Sequence, residues 1–233
     1  MTTIIIRKDT PLPERMSDDL YETERTLIHA TLQRFLPGTA KSILDPGAGD
    51  GRWGQIAGEY LPEAWITGVE LRLRPRPAGF SEWHDEQDYL TWETGSLYSV
   101  ICGNPPFFLA EEFVRKSWEL LAPGGVMFFL LRLAFMEGVD RHNHLWREIW
   151  PFEVAVCSRR PSFYGGKTNG TAHAVFCWKK GFDGDPVGEP RTWRTSLLLH
   201  ERDKNHRGVT PKKLQPQNRV PHYLDLSTPI DKA

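Results

Sequence analysis

The stretch Ile43-Leu44-Asp45-Pro46-Gly47-Ala48-Gly49-Asp50-Gly51-Arg52-Trp53-Gly54 sets the tightest limits on how this chain can fold. An apolar run ends in an acidic residue, glycines follow at 47, 49 and 51, and a helical pattern then begins. The chain therefore leaves a buried strand, turns on nearly bare backbone and enters a helix. Such a turn exposes backbone at the carboxyl end of a strand, where open parallel sheets bind their ligands.

The same alternation continues along the chain. Apolar runs predict strands at 42–45, 65–70, 98–102, 125–131, 152–157 and 172–178, and helical spacing predicts helices at 52–60, 109–121 and 142–149. An earlier helix is predicted from Leu27, Ile28, Leu32, Phe35 and Leu36, with Thr23 as its N-cap and Pro37-Gly38 as its stop. The pattern implies an α/β domain, a mostly parallel sheet with helices on both faces. Only residues 158–171 separate the last two strands, which predicts an antiparallel hairpin with a long basic loop.

A chain of 233 residues with 39% hydrophobic side chains can build a real core, which excludes disorder of the whole. Residues 1–17 read as an extended lead-in and residues 1–180 as one domain. Glycines and prolines interrupt every run from 181 to 233, predicting an irregular extension with one short strand at 196–200. A formal charge of −1 offers no global pull toward a polyanion, but the charge is uneven. Residues 1–131 hold 12 basic and 19 acidic side chains, whereas residues 132–233 hold 17 and 11.

Three cysteines without a CxxC pair indicate neither a disulfide framework nor a zinc site, and His142 and His144, two apart on a predicted helix, do not face one metal. No metal is expected. The longest apolar run, 126–131, is far short of the roughly 20 residues of a membrane span. No membrane association and a cytoplasmic location are expected.

Two ligands compete for the glycine turn. A dinucleotide loop avoids acidic groups beside its diphosphate, whereas here Asp45 and Asp50 flank the turn and favour a cation. The sulfonium and ammonium of S-adenosylmethionine meet that demand. The second strand ends in Glu70, suited to accept both hydroxyls of a ribose. Further on, an apolar strand runs into Asn104-Pro105-Pro106-Phe107. The prolines force an extended path. The Asn104 side-chain carbonyl and the Pro105 carbonyl are then placed to accept two hydrogen bonds from one exocyclic amine, and Phe107 to offer a flat face to a planar ring.

Asp45-Pro46-Gly47-Ala48-Gly49 followed by Asn104-Pro105-Pro106-Phe107 resembles the Rossmann-like class I amino-methyltransferases, especially the small phage-type DNA adenine-N6 enzymes. The likeness covers about residues 17–180. It implies a seven-stranded sheet of order 3-2-1-4-5-7-6 with strand 7 antiparallel, S-adenosylmethionine as cofactor, and DNA as acceptor. It also implies catalytic roles for Asn104, Pro105, Pro106 and Phe107, and cofactor contacts from Tyr21, Thr23, Asp45, Pro46, Gly47, Ala48, Gly49, Glu70 and Asp88. Asp88 reads the cofactor's adenine, with Glu86 as the rival carboxylate.

The hairpin loop, rich in cations, aromatics and glycines, is assigned to nucleic acid through Arg159, Arg160, Phe163, Tyr164, Lys167 and Asn169. Phe107 stands where the commoner motif has Tyr, which leaves guanine-N2 methylation of RNA open; adenine of RNA would be another acceptor for the same tetrad. A protein-glutamine acceptor would use the same tetrad, and a non-catalytic subunit binding cofactor or nucleic acid would use the same loops. The short extension leaves room for a target-recognition partner subunit or a homodimer.

Overall fold

The computed structural model describes residues 22–164, 167–168, 170–181 and 194–200, without the side chains of 163, 164, 167 and 168. The strands are β1 (Ser42–Pro46), β2 (Trp65–Val69), β3 (Glu82–His84), β4 (Tyr98–Gly103), β5 (Leu121–Arg132), β6 (Glu153–Cys157), β7 (Ser162–Tyr164), β8 (Lys167–Thr168), β9 (His173–Lys179) and β10 (Arg194–Leu198). The helices are α1 (Arg25–Phe35), α2 (Arg52–Tyr60), α3 (Ala110–Leu120) and α4 (Val139–Arg141).

Eight strands form one sheet in the order β10-β6-β9-β5-β4-β1-β2-β3, and β7 pairs with β8 apart from it. β9 runs antiparallel to both β5 and β6, while the other neighbours in the sheet are parallel. Counted within this sheet, the order is 3-2-1-4-5-7-6-8, the expected seven strands with β10 added at one edge. β10 lies two residues earlier than the predicted strand at 196–200.

The central strands are buried on both sides, so their apolar residues divide by parity. Met127, Phe129 and Leu131 of β5 join Phe113 and Val114 of α3 in one core. Phe128 and Leu130 belong to the core on the opposite face, with Ile28 and Leu32 of α1 and Ile56 of α2. Phe128, Phe129, Phe176 and Trp178 have no solvent exposure, and each buried aromatic of this size contributes roughly 1.5–3 kcal/mol.

Three local expectations change. α1 begins at Arg25 with Glu24 as N-cap, because the Glu24 carbonyl accepts the first helical N–H bonds. Thr23 does not cap; its hydroxyl accepts the indole N–H of Trp53 at 3.2 Å, a tertiary contact invisible to local pattern. The helix predicted at 142–149 starts instead at Val139, after Gly138 (φ 115°), and widens into a π-type turn over His142–Trp146. β3 is an unpredicted strand, three residues of mixed polarity with no apolar run to reveal it. Among the described residues no helix is long and apolar enough to cross a membrane, and no group of three or more His, Cys, Asp or Glu is placed to hold a metal ion.

Candidate active site

The carboxyl ends of β1 and β4 lie side by side, with Ile43 opposite Val100 and Leu44 opposite Ile101. The glycine turn after β1 therefore faces the residues that follow Gly103. Gly47 takes φ 64°, and a Cβ there would sit 3.3 Å from the Phe113 ring. At Gly51 (φ 75°) a Cβ would meet Pro77 at 2.5 Å, so a side chain is excluded by both conformation and space. Across the turn, the Ala48 N–H donates to the Val69 carbonyl at 2.9 Å and the Gly49 N–H to Glu70 Oε2 at 2.7 Å. The ends of β1 and β2 are thereby locked together.

These elements border one cleft of about 940 Å³, a volume that includes the open solvent at its mouth. Thr23, Gly47, Ala48, Gly49, Glu70, Asp88, Asn104 and Pro106 all line it, drawn from five separate parts of the chain. Its walls carry four carboxylates (Glu22, Asp50, Glu70, Asp88) against two guanidiniums (Arg52, Arg72). Arg52 is held by Asp50 at 2.7 Å and Glu22 at 3.1 Å, and Arg72 by Glu70 at 3.5 Å. The lining keeps a formal charge of −2, which repels a diphosphate and attracts a cation.

Glu70 is 2% exposed. Its Oε2 accepts only the Gly49 N–H among the described residues, leaving a lone pair for a hydroxyl. Asp88 lies at the cleft with Oδ1 accepting the Leu90 N–H at 2.9 Å, while its rival Glu86 is not in the lining. Asn104 follows β4 directly, with its Oδ1 shielded from solvent.

Other assigned residues lie elsewhere. Asp45 is buried behind the turn, where Oδ2 accepts the Gly54 N–H at 2.9 Å and anchors the start of α2. Burial pushes its carboxyl well above the usual carboxylate range, the Gly54 bond opposing and the neighbouring Asp50 and Glu70 adding to the rise. Pro46 ends β1, and Pro105 is buried beside the cleft. Phe107 does not line this cleft: its ring packs 5.3 Å from the His173 ring and under the Arg132 guanidinium at 5.0 Å. Of the two adjacent phenylalanines it is Phe108, 47% exposed, that lines the cleft, along with Trp53, Tyr89 and Phe113.

Arg159 also differs from expectation. Its guanidinium pairs with Glu24, which is 1% exposed, and its Nε–H donates to the His200 carbonyl at 3.3 Å. Glu24 accepts the Ser162 N–H as well, at 2.7 Å. The carboxylate that claims Arg159 lies 135 positions upstream, so no local pattern could show it. Arg34 of α1 pairs with Glu153 of β6 at the helix's other end, so α1 is clamped to β6 and the turn after it. Arg160 is exposed and in no ion pair among the described residues. Tyr21 and Asn169, and the side chains of Phe163, Tyr164 and Lys167, lie outside the described residues.

Arg52, Leu71, Arg72 and Phe108 line the cleft without having been singled out from sequence. Leu71 had a readable signal, an apolar residue directly after a strand-ending acid; Phe108 had one in the doubled aromatic after Pro106.

No family model matches the sequence, and no curated protein matches it. Solved structures do. The M protein of the type I restriction enzyme EcoKI is 17% identical, with TM-score 0.57, over 77% of this chain and 47% of that one. A Listeria monocytogenes protein assigned to the class I S-adenosylmethionine-dependent methyltransferases is 16% identical, with TM-score 0.53, over 75% of this chain and 62% of that one. An Agrobacterium tumefaciens protein described as a predicted O-methyltransferase is 19% identical, with TM-score 0.52, over 81% and 92%. The chain thus spans less than two thirds of the first two. The fold is the Rossmann-like fold of class I methyltransferases.

Proposed function

We propose that the chain is an S-adenosylmethionine-dependent N-methyltransferase that modifies the exocyclic N6 of adenine in DNA. One observation carries the reading: Asn104 and Pro106 of the tetrad line the same cleft as Gly47, Gly49, Glu70 and Asp88 of the candidate cofactor site. The net negative lining fits a ligand bearing a sulfonium and an ammonium, and Glu70 Oε2 fits a ribose hydroxyl. Bound there, S-adenosylmethionine supplies an electrophilic methyl group.

The protein's own part is positioning. The Asn104 Oδ1 and Pro105 carbonyl each accept an N–H from the target amine, which draws the nitrogen lone pair out of conjugation with the ring and aims it at the methyl carbon. The nitrogen's proton leaves after transfer, so no general base has to act first. Orientation supplies most of the rate effect. The exposed Phe108 adds apolar surface at the rim of the cleft, and Asp88 accepts from the cofactor's adenine amine.

The likeness to the EcoKI M protein supports a DNA acceptor. Phe107 in place of the commoner Tyr leaves a second reading open, transfer to guanine-N2 of RNA. A target-recognition subunit or a second copy of the chain would supply sequence reading. Incubating the purified protein with radiolabelled cofactor and DNA, RNA or a glutamine peptide, then identifying the product by mass, tests the reading. N6-methyladenine from DNA is expected; label found only in RNA or peptide overturns the DNA assignment, and no transfer to any acceptor overturns the enzyme.

A further inference from the structure

Resting on that reading, we propose that Arg132, the last residue of β5, is the cation that grips a phosphodiester of the acceptor strand beside the 104–107 tetrad. Its guanidinium lies 5.0 Å from the centroid of the Phe107 ring, the aromatic of the tetrad. Directly across the β5–β9 ladder, Arg132 sits opposite His173, whose ring packs against the same Phe107. A cross-strand pair at the end of the sheet therefore holds the tetrad's aromatic, and only one of its two members carries charge outward.

His173 is 1% exposed, and burial holds its imidazole at about 4, well below the usual range, so it is neutral near pH 7. Arg132 is exposed, with no carboxylate within ion-pairing distance among the described residues. A guanidinium always carries its charge. The cation–π contact with the half-buried Phe107 ring is weaker than the two parallel, charge-assisted N–H bonds that a phosphate accepts from a guanidinium.

The charge distribution nearby points the same way. Arg159, the first of the expected phosphate contacts, is neutralised by buried Glu24. Arg132, one strand away from Asn104, then supplies positive charge at the carboxyl end of the central strand β5, beside the strand end from which the tetrad emerges. A glutamine side chain offers it a neutral amide oxygen but no anion. A nucleotide offers a phosphate next to the base, so Arg132 biases the site toward nucleic acid.

The test compares the full chain with Arg132→Gln and Arg132→Lys. Binding to a single-stranded DNA oligonucleotide and to its RNA counterpart is measured by fluorescence anisotropy from 50 to 200 mM salt, with S-adenosylhomocysteine present. Arg132→Gln is expected to weaken binding roughly tenfold or more and to reduce the slope of log K against log salt by about 0.7. Arg132→Lys keeps the slope, and both variants keep cofactor affinity within about twofold of the parent protein. A DNA oligonucleotide with neutral methylphosphonates flanking the target adenine should weaken binding of the parent protein, yet add little to the defect of Arg132→Gln.

The arms separate the possible failures. Methyl transfer to an oligonucleotide with an unchanged slope in Arg132→Gln, or full additivity with the methylphosphonates, overturns this inference and leaves the enzyme reading standing. Transfer to glutamine peptide alone overturns both. A larger effect with RNA than with DNA keeps the phosphodiester grip and moves the acceptor to RNA.

Discussion

Arg159→Ala separates a surface phosphate contact from an internal brace. Arg159 pairs with Glu24, whose side chain is 2% exposed, while its own side chain keeps 24% exposure. Removing one partner of a fully buried pair costs about 3–5 kcal/mol, because the other charge stays in a poorly solvated place. Partial exposure of Arg159, and the Ser162 N–H bond that Glu24 retains, reduce this to roughly 2–3 kcal/mol. For a chain of this size each kcal/mol shifts Tm by about 2–4 °C, so thermal unfolding followed by circular dichroism should show a fall of about 4–12 °C. Glu24→Ala should behave similarly. The double variant should lose less than the sum of the two, because neither charge is then stranded. Arg160→Ala, at an exposed cation, should leave Tm within about 2 °C. An unchanged Tm in Arg159→Ala, with a flatter salt dependence of nucleic-acid binding, would refute the brace and return Arg159 to the phosphate.

Asn104→Ala should abolish methyl transfer while cofactor affinity, followed by calorimetry, stays within a few fold; loss of cofactor binding with chemistry preserved would reverse the roles. At Gly54 a Cβ would lie 2.3 Å from the Phe80 ring, so Gly54→Ala should destabilise by about 1–3 kcal/mol in urea unfolding. A neutral result would mean that α2 can move off Phe80. His173, with a pKa lowered by burial to about 4 from 6.5, is protonated more readily in the unfolded chain. Its contribution to stability is therefore full above about pH 6.5 and lost as pH falls toward 4, with the nearby Arg132 adding to the penalty on a charged ring. The urea midpoint of His173→Phe should fall less across that window than that of the parent protein, and parallel curves would count against a buried neutral imidazole.

Much of the candidate cofactor site was legible because its requirements are local. Three glycines at alternate positions announce a turn that needs positive φ, and an acid after an apolar run announces a strand end; Gly47, Gly49 and Glu70 all line the cleft. The helix at 52–60 could be read to the residue from its spacing. The aromatic was harder. Two phenylalanines follow Pro106, and only the local twist after it sends Phe108 to the cleft and Phe107 against His173.

Hydrophobic periodicity and backbone restriction act over a few residues. The order of strands and helices, the parity that buries β5 on both faces, and the chemistry gathered at the strand ends are therefore written in the chain itself. Which charges stay available is settled only when the chain packs. Arg159 is claimed by Glu24 and Thr23 by Trp53, whereas Arg132 carries its charge at the carboxyl end of β5. A long side chain takes its partner from whichever distant segments packing brings within a few ångströms, and nothing in its own neighbourhood along the chain records that choice.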